Sequence, residues 1–309
     1  GPARGLCKIL TMPKTTTTPL DAPRYFRWIG SKARLVPTLL PLFERCGPIK
    51  DTFVAPFLGS GAVELTLLAG PARGCARIVL ADLNPHLIAA WRMTLCPAAD
   101  LDRLVSLLRW YEVSDARDPA GFYTDQARFV IPTRDVERAA RFLYLNQTSF
   151  HGLWRENKSQ VFNAPREDTR RPFAAQVVID KVMALRMFFS PFKSRITFLS
   201  QDFGLTLDRA DLARSVVFAD PPYVPLNPTR SFSGYTAAGF NAKAQKDLAE
   251  LVGLCKFAVV SNSDTPKTRQ IYAEAKDVIP IQITHMAGPQ KKSRTPVGEV
   301  ALIFERTGT

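Results

Sequence analysis

The chain has 309 residues, of which 46% are hydrophobic, so it is long enough to bury the core of one large domain or two modest ones. No apolar run reaches the roughly 18 residues that a membrane span needs. The five cysteines are scattered singly, which predicts free thiols and neither a disulfide framework nor a metal site. The net charge of +13 favours a polyanionic partner, with a solvated basic surface as the alternative.

The N-terminal residues are polar and precede the first periodic pattern. Residues 1–23 include four consecutive threonines from Thr15, and we expect this tail to be disordered. Apolar residues then recur at helical spacing between Leu35 and Phe43. This pattern predicts the first helix of the chain.

A strand, a glycine loop, a helix and a second strand follow in that order. Residues 51–56 predict a buried strand that leads into the loop at 57–61. A helix is predicted at 62–68, and a second strand at 76–81 ends at Asp82. This arrangement is typical of the first half of a Rossmann-like α/β unit.

The glycine loop and the acid after the second strand predict a nucleotide-like ligand. Gly59 and Gly61 permit close backbone approach, and Asp82 follows Gly61 by 21 positions, which suits a carboxylate that holds ribose hydroxyls. Nicotinamide enzymes share this layout. However, the third glycine of their fingerprint is replaced here by Glu64, so a pyrophosphate need not be bound.

The middle of the chain changes character between about residues 91 and 194. Strand signals fade there, and helical periodicity with many arginines predicts an inserted, mainly helical subdomain. Within it, residues 150–157 and 160–163 predict a β-hairpin that turns at Lys158-Ser159. Strand signals return after residue 194, at 196–199, 215–219, 257–262 and 300–305, with a helix at 244–255.

The strongest chemical signal is Asp220-Pro221-Pro222-Tyr223, which follows an apolar strand. The exocyclic N6 amine of adenine is a poor nucleophile, because its lone pair is delocalised into the ring. Hydrogen bonds to Asp220 and to the Pro221 carbonyl would return electron density to that nitrogen, and the prolines would hold both acceptors in place. Tyr223 would stack on the base. An ordinary Pro-Pro turn is the alternative, which the preceding strand and the glycine loop disfavour.

Several short motifs support this interpretation together. They are Arg27-Trp28-Ile29-Gly30-Ser31-Lys32, Pro56-Phe57-Leu58-Gly59-Ser60-Gly61, Ala81-Asp82-Leu83-Asn84, Tyr144-Leu145-Asn146, Gly152-Leu153-Trp154-Arg155, Phe162-Asn163-Ala164-Pro165, Asp220-Pro221-Pro222-Tyr223 and Ser261-Asn262-Ser263-Asp264-Thr265. In this order the chain resembles the Dam-like family, or D12 class, of DNA adenine-N6 methyltransferases, from about Tyr25 to Glu305. The order of glycine loop, inserted region and Asp-Pro-Pro-Tyr is that family's α arrangement.

The resemblance implies a Rossmann-like methyltransferase sheet, with a catalytic domain at 24–90 and 195–309 and a target-recognition insertion at 91–194. It implies direct methyl transfer from S-adenosylmethionine to a flipped adenine in duplex DNA, within a short palindromic site such as GATC, leaving S-adenosylhomocysteine. It also implies a cytoplasmic monomer that needs no metal and binds no membrane. Whether a cognate restriction endonuclease accompanies it stays open.

Residue roles follow from the resemblance, position by position. The residues that would line the cofactor pocket are Trp28, Ile29, Lys32, Pro56, Phe57, Gly59, Gly61, Asp82, Leu83, Asp202 and Phe203. The adenine would be held by Asp220, Pro221, Pro222 and Tyr223. DNA would be contacted by Arg27, Phe150, His151, Leu153, Arg155 and Pro165.

Some positions depart from the family pattern or carry no assigned role. His151 stands where the family has Asn, and Ser149 where Gly is frequent, so the readout of individual bases is expected to differ. Trp154 is expected to be core packing. The basic run at Lys291, Lys292 and Arg294 predicts a loop, with phosphate contact as an open alternative.

Three other functions compete with DNA adenine methylation. Methylation of RNA or of cytosine N4 is disfavoured, because Asp rather than Ser opens the Pro-Pro-Tyr motif and because the match runs along the whole chain. A catalytically silent DNA-binding protein is disfavoured by the intact Asp220 and Asp82. A nicotinamide oxidoreductase is disfavoured by Glu64 and by the Asp-Pro-Pro-Tyr loop.

Overall fold

The computed structural model describes residues 22–28, 30–167, 172–225, 240–281 and 298–306. Within these ranges the strands are β1 (Thr52–Ala55), β2 (Arg77–Asp82), β3 (Ile196–Ser200), β4 (Ser215–Ala219), β5 (Phe257–Ser263), β6 (Asp277–Ile281) and β7 (Glu299–Glu305). The helices are α1 (Val36–Glu44), α2 (Ala62–Ala69), α3 (Pro85–Met93), α4 (Ala98–Arg117), α5 (Pro119–Arg128), α6 (Asp135–Thr148), α7 (Ala175–Phe189), α8 (Phe203–Asp208), α9 (Ala242–Gly253) and α10 (Pro266–Ile271).

The strands form one sheet in the order β3-β2-β1-β4-β5-β7-β6. The pairs from β3 to β5 are parallel, whereas β7 is antiparallel to both β5 and β6. The carboxyl ends of β1 to β5 therefore lie at one edge of the sheet. This topology confirms the Rossmann-like α/β fold predicted from the sequence.

Both faces of the sheet are covered, as nearly continuous apolar strands require. Phe53 and Phe218 point to the face that packs under α1 and the helical region, while Val54 and Val217 point to the other face. This alternation is the two-residue period of a strand. All residues of β4 and β5 are buried, so these two strands form the centre of the core.

The middle of the chain is helical, as predicted, and is built from α4 to α7. The predicted division at residue 91 falls inside α3, which packs along α6. Trp91 and Phe142 belong to the same buried cluster as Phe53 beneath the sheet. The apolar core thus continues from the sheet into the helical region, and the division into two domains stays a prediction.

The predicted hairpin is present in reduced form. Asn163 donates a backbone hydrogen bond to Arg155, and a single antiparallel bridge joins Glu156 to Phe162, around a turn at Lys158-Ser159. The turn position is therefore confirmed, but the pairing does not extend into full strands. The tail was predicted to be disordered over residues 1–23, of which residues 1–21 lie outside the described part of the chain.

One strand was missed from the sequence. β6 is the outermost strand of the sheet, after β7. It contains Pro280, which has no N–H to donate to a neighbouring strand and so weakens the strand signal in the sequence. The short helices α8 and α10 were also missed. No helix in the described ranges is both long and apolar enough to cross a membrane.

Candidate active site

The parallel strands bring the predicted motifs to one edge of the sheet. β1 leads into the glycine loop, β2 ends at Asp82, and β3 is followed by Asp202-Phe203. β4 runs directly into Asp220-Pro221-Pro222-Tyr223. Because the carboxyl ends of parallel strands form the ligand-binding crevice of open α/β sheets, this edge is the candidate active site.

The glycine loop is shaped by two indole rings. Gly59 and Gly61 have left-handed backbones, with φ of 47° and 68°. A Cβ on Gly61 would lie 2.9 Å from ring carbons of Trp91, and one on Gly59 would lie 3.0 Å from Nε1 of Trp28. Trp91 also donates its indole N–H to the Gly59 carbonyl, at 3.1 Å. Both glycines are therefore required by the packing of the loop, in addition to any ligand.

Asp82 is a fixed acceptor beside this loop. Its Oδ2 accepts the Gly59 amide and its Oδ1 accepts the Asn84 amide, both at 3.0 Å. Burial raises the pKa of Asp82, and these backbone amides oppose the shift. The neighbouring Leu83 is 47% exposed, so it offers apolar surface next to the carboxylate. Pro56 is buried where β1 ends.

An aromatic cluster lies on the other side of the edge. The rings of Phe57 and Phe203 are stacked, with centroids 5.5 Å apart and an angle of 25°. Phe240 packs edge-on against both, at 5.6 and 5.4 Å. Asp202 begins α8 by accepting the Gly204 amide at 2.7 Å, and its side chain is exposed beside the cluster. Phe240 carries no motif and was missed from the sequence.

Asp220 is held by two side chains that the sequence did not join to it. Ser261 of β5 donates to Oδ1 at 2.5 Å, and the ammonium of Lys32 lies 3.4 Å from Oδ2. Burial raises the pKa of Asp220, whereas Lys32 and Ser261 lower it. Lys32 also lies 4.4 Å from the ring centroid of Tyr223, so it contacts the Asp-Pro-Pro-Tyr loop directly.

The Tyr223 ring is oriented by its hydroxyl. That hydroxyl donates to Oε2 of Glu299 at 2.9 Å, and Arg34 pairs with Oε1 of the same residue at 3.1 Å. Burial first, and then the charges of Asp220 and Glu299, raise the pKa of Tyr223 far above its ordinary value. The phenol therefore stays protonated. Glu299, at the start of β7, was missed from the sequence because no motif marks it.

The carbonyls of Pro221 and Pro222 differ in whether they accept a hydrogen bond. The Pro222 carbonyl accepts from Gln245 of α9 at 2.7 Å, and the amide of Val224 donates to Asn262 of β5 at 3.0 Å. Among the residues that the structure describes, none donates a hydrogen bond to the Pro221 carbonyl. The loop is thus held before Pro221, at Asp220, and after it, at Pro222 and Val224. The Pro221 carbonyl between them can still accept a hydrogen bond.

Glu64 adds a third carboxyl to the edge. It lies in the first turn of α2 and is only 3% exposed. Burial raises its pKa well above the usual range, and the charges of Asp220 and Asp82 raise it further. A carboxyl group in this position, beside Asp82 and Asp220, offers no positive charge to an anionic pyrophosphate. No group of three or more His, Cys, Asp or Glu side chains within the described ranges is arranged to hold a metal.

The predicted DNA-contacting residues lie around one exposed loop, residues 149–153. Phe150 is 48% exposed and His151 is exposed with a left-handed backbone, φ 52°. Leu153 is half-buried. The Pro165 carbonyl accepts the Phe150 amide at 2.9 Å and so supports the loop.

Arg155 and Trp154 have different environments. Arg155 is exposed, and its guanidinium donates to the side chain and to the carbonyl of Asn163, both at 2.8 Å. Trp154 packs on Phe142 and Phe162, each with ring centroids 4.9 Å away. The expectation that Trp154 is a packing residue is confirmed. Arg155, in contrast, is exposed to solvent while Asn163 holds its guanidinium.

Arg27 is engaged within the protein. Its Nη1 pairs with Glu167 at 2.7 Å, and its Nη2 donates to the carbonyls of Gln147 and Ser149 at 2.9 Å. The structure thus brings Arg27 to the loop at residues 149–153, called the recognition loop below after its predicted role, and keeps the neighbouring Trp28 at the glycine loop. Ile29 and the basic run at 291–294 lie outside the described residues.

Comparisons with known proteins place the chain in a family. The sequence profile described as D12 class N6 adenine-specific DNA methyltransferase matches residues 28–286. The chain is 31% identical to the DNA adenine methylase of Haemophilus influenzae over 91% of this chain and 93% of the relative. It is 29% identical to the DNA adenine methylase of Escherichia coli K12, over 87% and 91% of the two chains.

Two further likenesses are more distant. The type II methyltransferase M1.LlaDCHI of Lactococcus lactis is 28% identical, over 89% of this chain and 93% of the relative. Among solved structures, the rRNA methyltransferase aviRa from Streptomyces viridochromogenes aligns with a TM-score of 0.35 at 14% identity, over 88% and 84% of the two chains. That score is too low to bear on function.

Proposed function

Because the chain belongs to the D12 class N6 adenine-specific DNA methyltransferase family, we propose that this edge of the sheet binds S-adenosylmethionine and a flipped adenine side by side. DNA adenine methylation is the activity of this family. The substrate pose, the catalytic side chains and the target site are the proposal.

The residues at the edge fit S-adenosylmethionine. The Phe57–Phe203 stack offers apolar faces for the adenine ring, and the exposed Asp202 carboxylate is an acceptor for its amine. Asp82 offers the remaining lone pairs of a fixed carboxylate to the ribose hydroxyls. The glycine loop, with Trp28 and Lys32 beside it, would bound the methionine part. When bound, S-adenosylmethionine supplies an electrophilic methyl group on its sulfonium.

The target adenine would lie against the Asp-Pro-Pro-Tyr loop. Asp220 and the Pro221 carbonyl would accept the two N–H bonds of the N6 amine, which returns electron density to nitrogen for in-line attack on the methyl group. Tyr223 would stack on the base while Glu299 holds its hydroxyl. A paired adenine cannot reach these acceptors, so the base must leave the duplex.

One observation carries this proposal. Gln245 and Asn262 fix the loop at Pro222 and Val224, Ser261 and Lys32 fix Asp220, and the Pro221 carbonyl between them accepts nothing from the described residues. An acceptor pair held in advance at the required place, with one member left open, is what polarisation of an amine requires.

Sequence readout is assigned to the exposed loop and its neighbours. Phe150 would wedge where the adenine leaves the stack, and Leu153 would contact a thymine methyl group. Arg155 and, once released from its internal bonds, Arg27 would each read a guanine in the major groove. Residues 91–194 would form the target-recognition domain, and we propose a short palindromic target such as GATC. We also propose that the protein is a monomer in solution. Whether it acts with a cognate restriction endonuclease stays open.

The test is methylation of a defined genomic DNA by the purified protein, with modified adenines mapped by sequencing. We expect N6-methyladenine at one short palindrome, and much less of it with Asp220→Ala after the same reaction time. A duplex with 2-aminopurine at the target position should brighten when the protein binds, because the base leaves the stack. Methylation of RNA but not of DNA, or of cytosine, would contradict the proposal.

A further inference from the structure

The Arg27–Glu167 ion pair lies at the base of the recognition loop. Arg27 precedes the glycine-loop contact Trp28 by one residue, and Glu167 is 140 residues further along the chain. The two side chains are 41% and 20% exposed, so the pair faces solvent on the side that carries Phe150 and His151. The pair with Arg27, first of all, lowers the pKa of Glu167, which therefore stays ionised near neutral pH.

Glu167 also contacts the loop tip. Its Oε1 lies 3.4 Å from the His151 amide, while its Oε2 holds Arg27. The next residue, Gly152, has a φ of 68°, and a Cβ there would lie 2.6 Å from Cβ of Arg27. Asn146 donates to the carbonyls of both Arg27 and Gly152, at 2.6 and 3.2 Å. The backbone of Arg27 is therefore fixed against the loop, and only its guanidinium is free to change partners.

A second cation lies on the inner side of Arg27. Lys181 of α7 and Arg27 both line a cavity of about 220 Å³, together with Gln147. Burial, and then the charge of Arg27, lower the pKa of Lys181. Like charges repel, so Glu167 is the described carboxylate that balances Arg27 on the outer side. Without it, Nη1 would lose its carboxylate partner, Nη2 would keep only the carbonyls of Gln147 and Ser149, and repulsion from Lys181 would favour turning the guanidinium toward the surface where DNA is proposed to bind.

We propose that Glu167 is a specificity-determining residue, which restrains Arg27 until a base pair of the target replaces it. This inference rests on the proposed function. A guanine offers a bidentate acceptor that replaces the single bond to Glu167, whereas a lone phosphate oxygen offers one contact and leaves the carboxylate next to DNA. The restraint therefore weakens binding to arbitrary sequences more than binding to the target.

The experiment compares Glu167→Gln with the wild-type protein on two fluorescent duplexes, one containing the mapped site and one of scrambled sequence. The glutamine keeps an acceptor for the His151 amide and loses the charge. We expect about fivefold tighter binding to the scrambled duplex and a smaller gain on the target. The slope of log affinity against log salt should steepen by about 0.9, the increment for one added phosphate contact.

A matched control removes the same charge elsewhere. Asp277 pairs with Arg45 at 3.0 Å, and it lies at the start of β6, on the sheet edge opposite the site. Asp277→Asn should change neither the scrambled-duplex affinity nor the salt slope. Equal gains in Asp277→Asn and Glu167→Gln would mean that net charge alone is responsible, which would overturn the proposal.

A double mutant assigns the effect to Arg27. In an Arg27→Gln background, Glu167→Gln should no longer tighten scrambled-duplex binding, because there is no guanidinium to release. If Glu167→Gln still tightens scrambled-duplex binding in that background, Glu167 acts by repelling DNA directly, and the proposal that it restrains Arg27 is wrong. Arg27→Met, which keeps the aliphatic stem, replaces Arg27→Gln if thermal melting shows the latter to be unfolded. A wild-type protein that binds duplex DNA but does not methylate it would contradict the proposed function, while the scrambled-duplex comparison, which needs no mapped site, would still test the restraint.

Discussion

The catalytic edge and the recognition loop are held in place in different ways. At the edge, most of the groups that fix the side chains lie on the strands or next to their ends: the Gly59 amide donates to Asp82, and Ser261 of β5 donates to Asp220. Around the loop, side chains hold other side chains or distant carbonyls, as Arg27 does with Glu167. The first arrangement follows from the sheet, whereas the second depends on individual residues far apart in sequence.

This difference has a functional consequence. Side chains placed by strand ends have little freedom to shift, because the strands that carry them are buried in the core. Readout fixed by pairs of side chains can be altered by one or two substitutions without disturbing the sheet. We therefore expect mutations at the edge to abolish transfer, and mutations around the loop to change target choice while cofactor binding persists.

The largest effect is expected at the edge. Asp220→Ala should lower the single-turnover rate by about 10²–10³, because a positioned acceptor that acts in the transition state is lost. Binding of S-adenosylmethionine, measured by calorimetry, should be nearly unchanged. A variant with near-normal rate would show that Asp220 does not polarise the amine.

A buried ion pair supports the recognition region. Asp115 has no exposed side-chain area and accepts from Arg166, Tyr144 and the Phe173 amide. Asp115→Asn should cost about 3 kcal/mol of unfolding free energy, because it leaves Arg166 without its counter-charge. Chemical denaturation at pH 7 measures this cost.

The pH dependence of that loss gives a second readout. Burial alone would raise the pKa of Asp115, but its bonds to Arg166, Phe173 and Tyr144 lower it below the ordinary value. The ionised Asp115 therefore stabilises the folded protein at any pH above the pKa that this residue has in the unfolded chain. That stabilisation is lost as the pH falls to the lower pKa that Asp115 has in the folded protein. The wild-type protein should therefore lose more stability on acidification than Asp115→Asn does. Equal losses would remove Asp115 as the responsible group.

Arg155→Ala should change selectivity more than activity. We expect discrimination at one base pair to fall by about 1–3 kcal/mol, measured on a library of singly substituted sites, with cofactor binding unchanged. Asn163→Ala should reproduce part of the effect, because Asn163 holds the guanidinium. A uniform drop across the library would instead place Arg155 among the phosphate contacts.

Two glycines offer a matched test of the two regions. Gly61 and Gly152 both have a φ of 68° and no room for a Cβ. Each alanine substitution should cost at least about 1–2 kcal/mol of stability, the cost of a left-handed backbone. Gly61→Ala should also weaken S-adenosylmethionine binding, and Gly152→Ala should weaken DNA binding. If both variants lost both ligands, the regions would not be separable.

The smallest effect concerns Lys32. Burial raises the pKa of Asp220 and the charge of Lys32 lowers it, so Lys32→Met should raise it further. If Asp220 acts as an ionised acceptor, as proposed, the acid limb of the single-turnover rate should move to higher pH. Saturating cofactor removes any effect on its binding. Lys276→Met, at an exposed pair with Glu305, is the control and should leave the profile in place.

The sequence by itself determined the frame of this protein. Hydrophobic periodicity located β1 to β5 and β7, and the motifs at their ends include Asp82, Asp202 and Asp220. The carboxyl ends of parallel strands meet at one edge, so finding the strands was enough to bring these acids together. Ser261 and Asn262 were visible as a motif, but their hydrogen bonds to the Asp-Pro-Pro-Tyr loop were not.

Only the tertiary structure decided which side chains support that frame. Phe240, Gln245 and Glu299 complete the site from elements that carry no motif. The family resemblance predicts that Arg27 contacts DNA, and the structure pairs it with a carboxylate 140 residues away. Periodicity reports which face of an element is buried, but a hydrogen bond between two side chains depends on how whole elements pack. No local pattern contains that information.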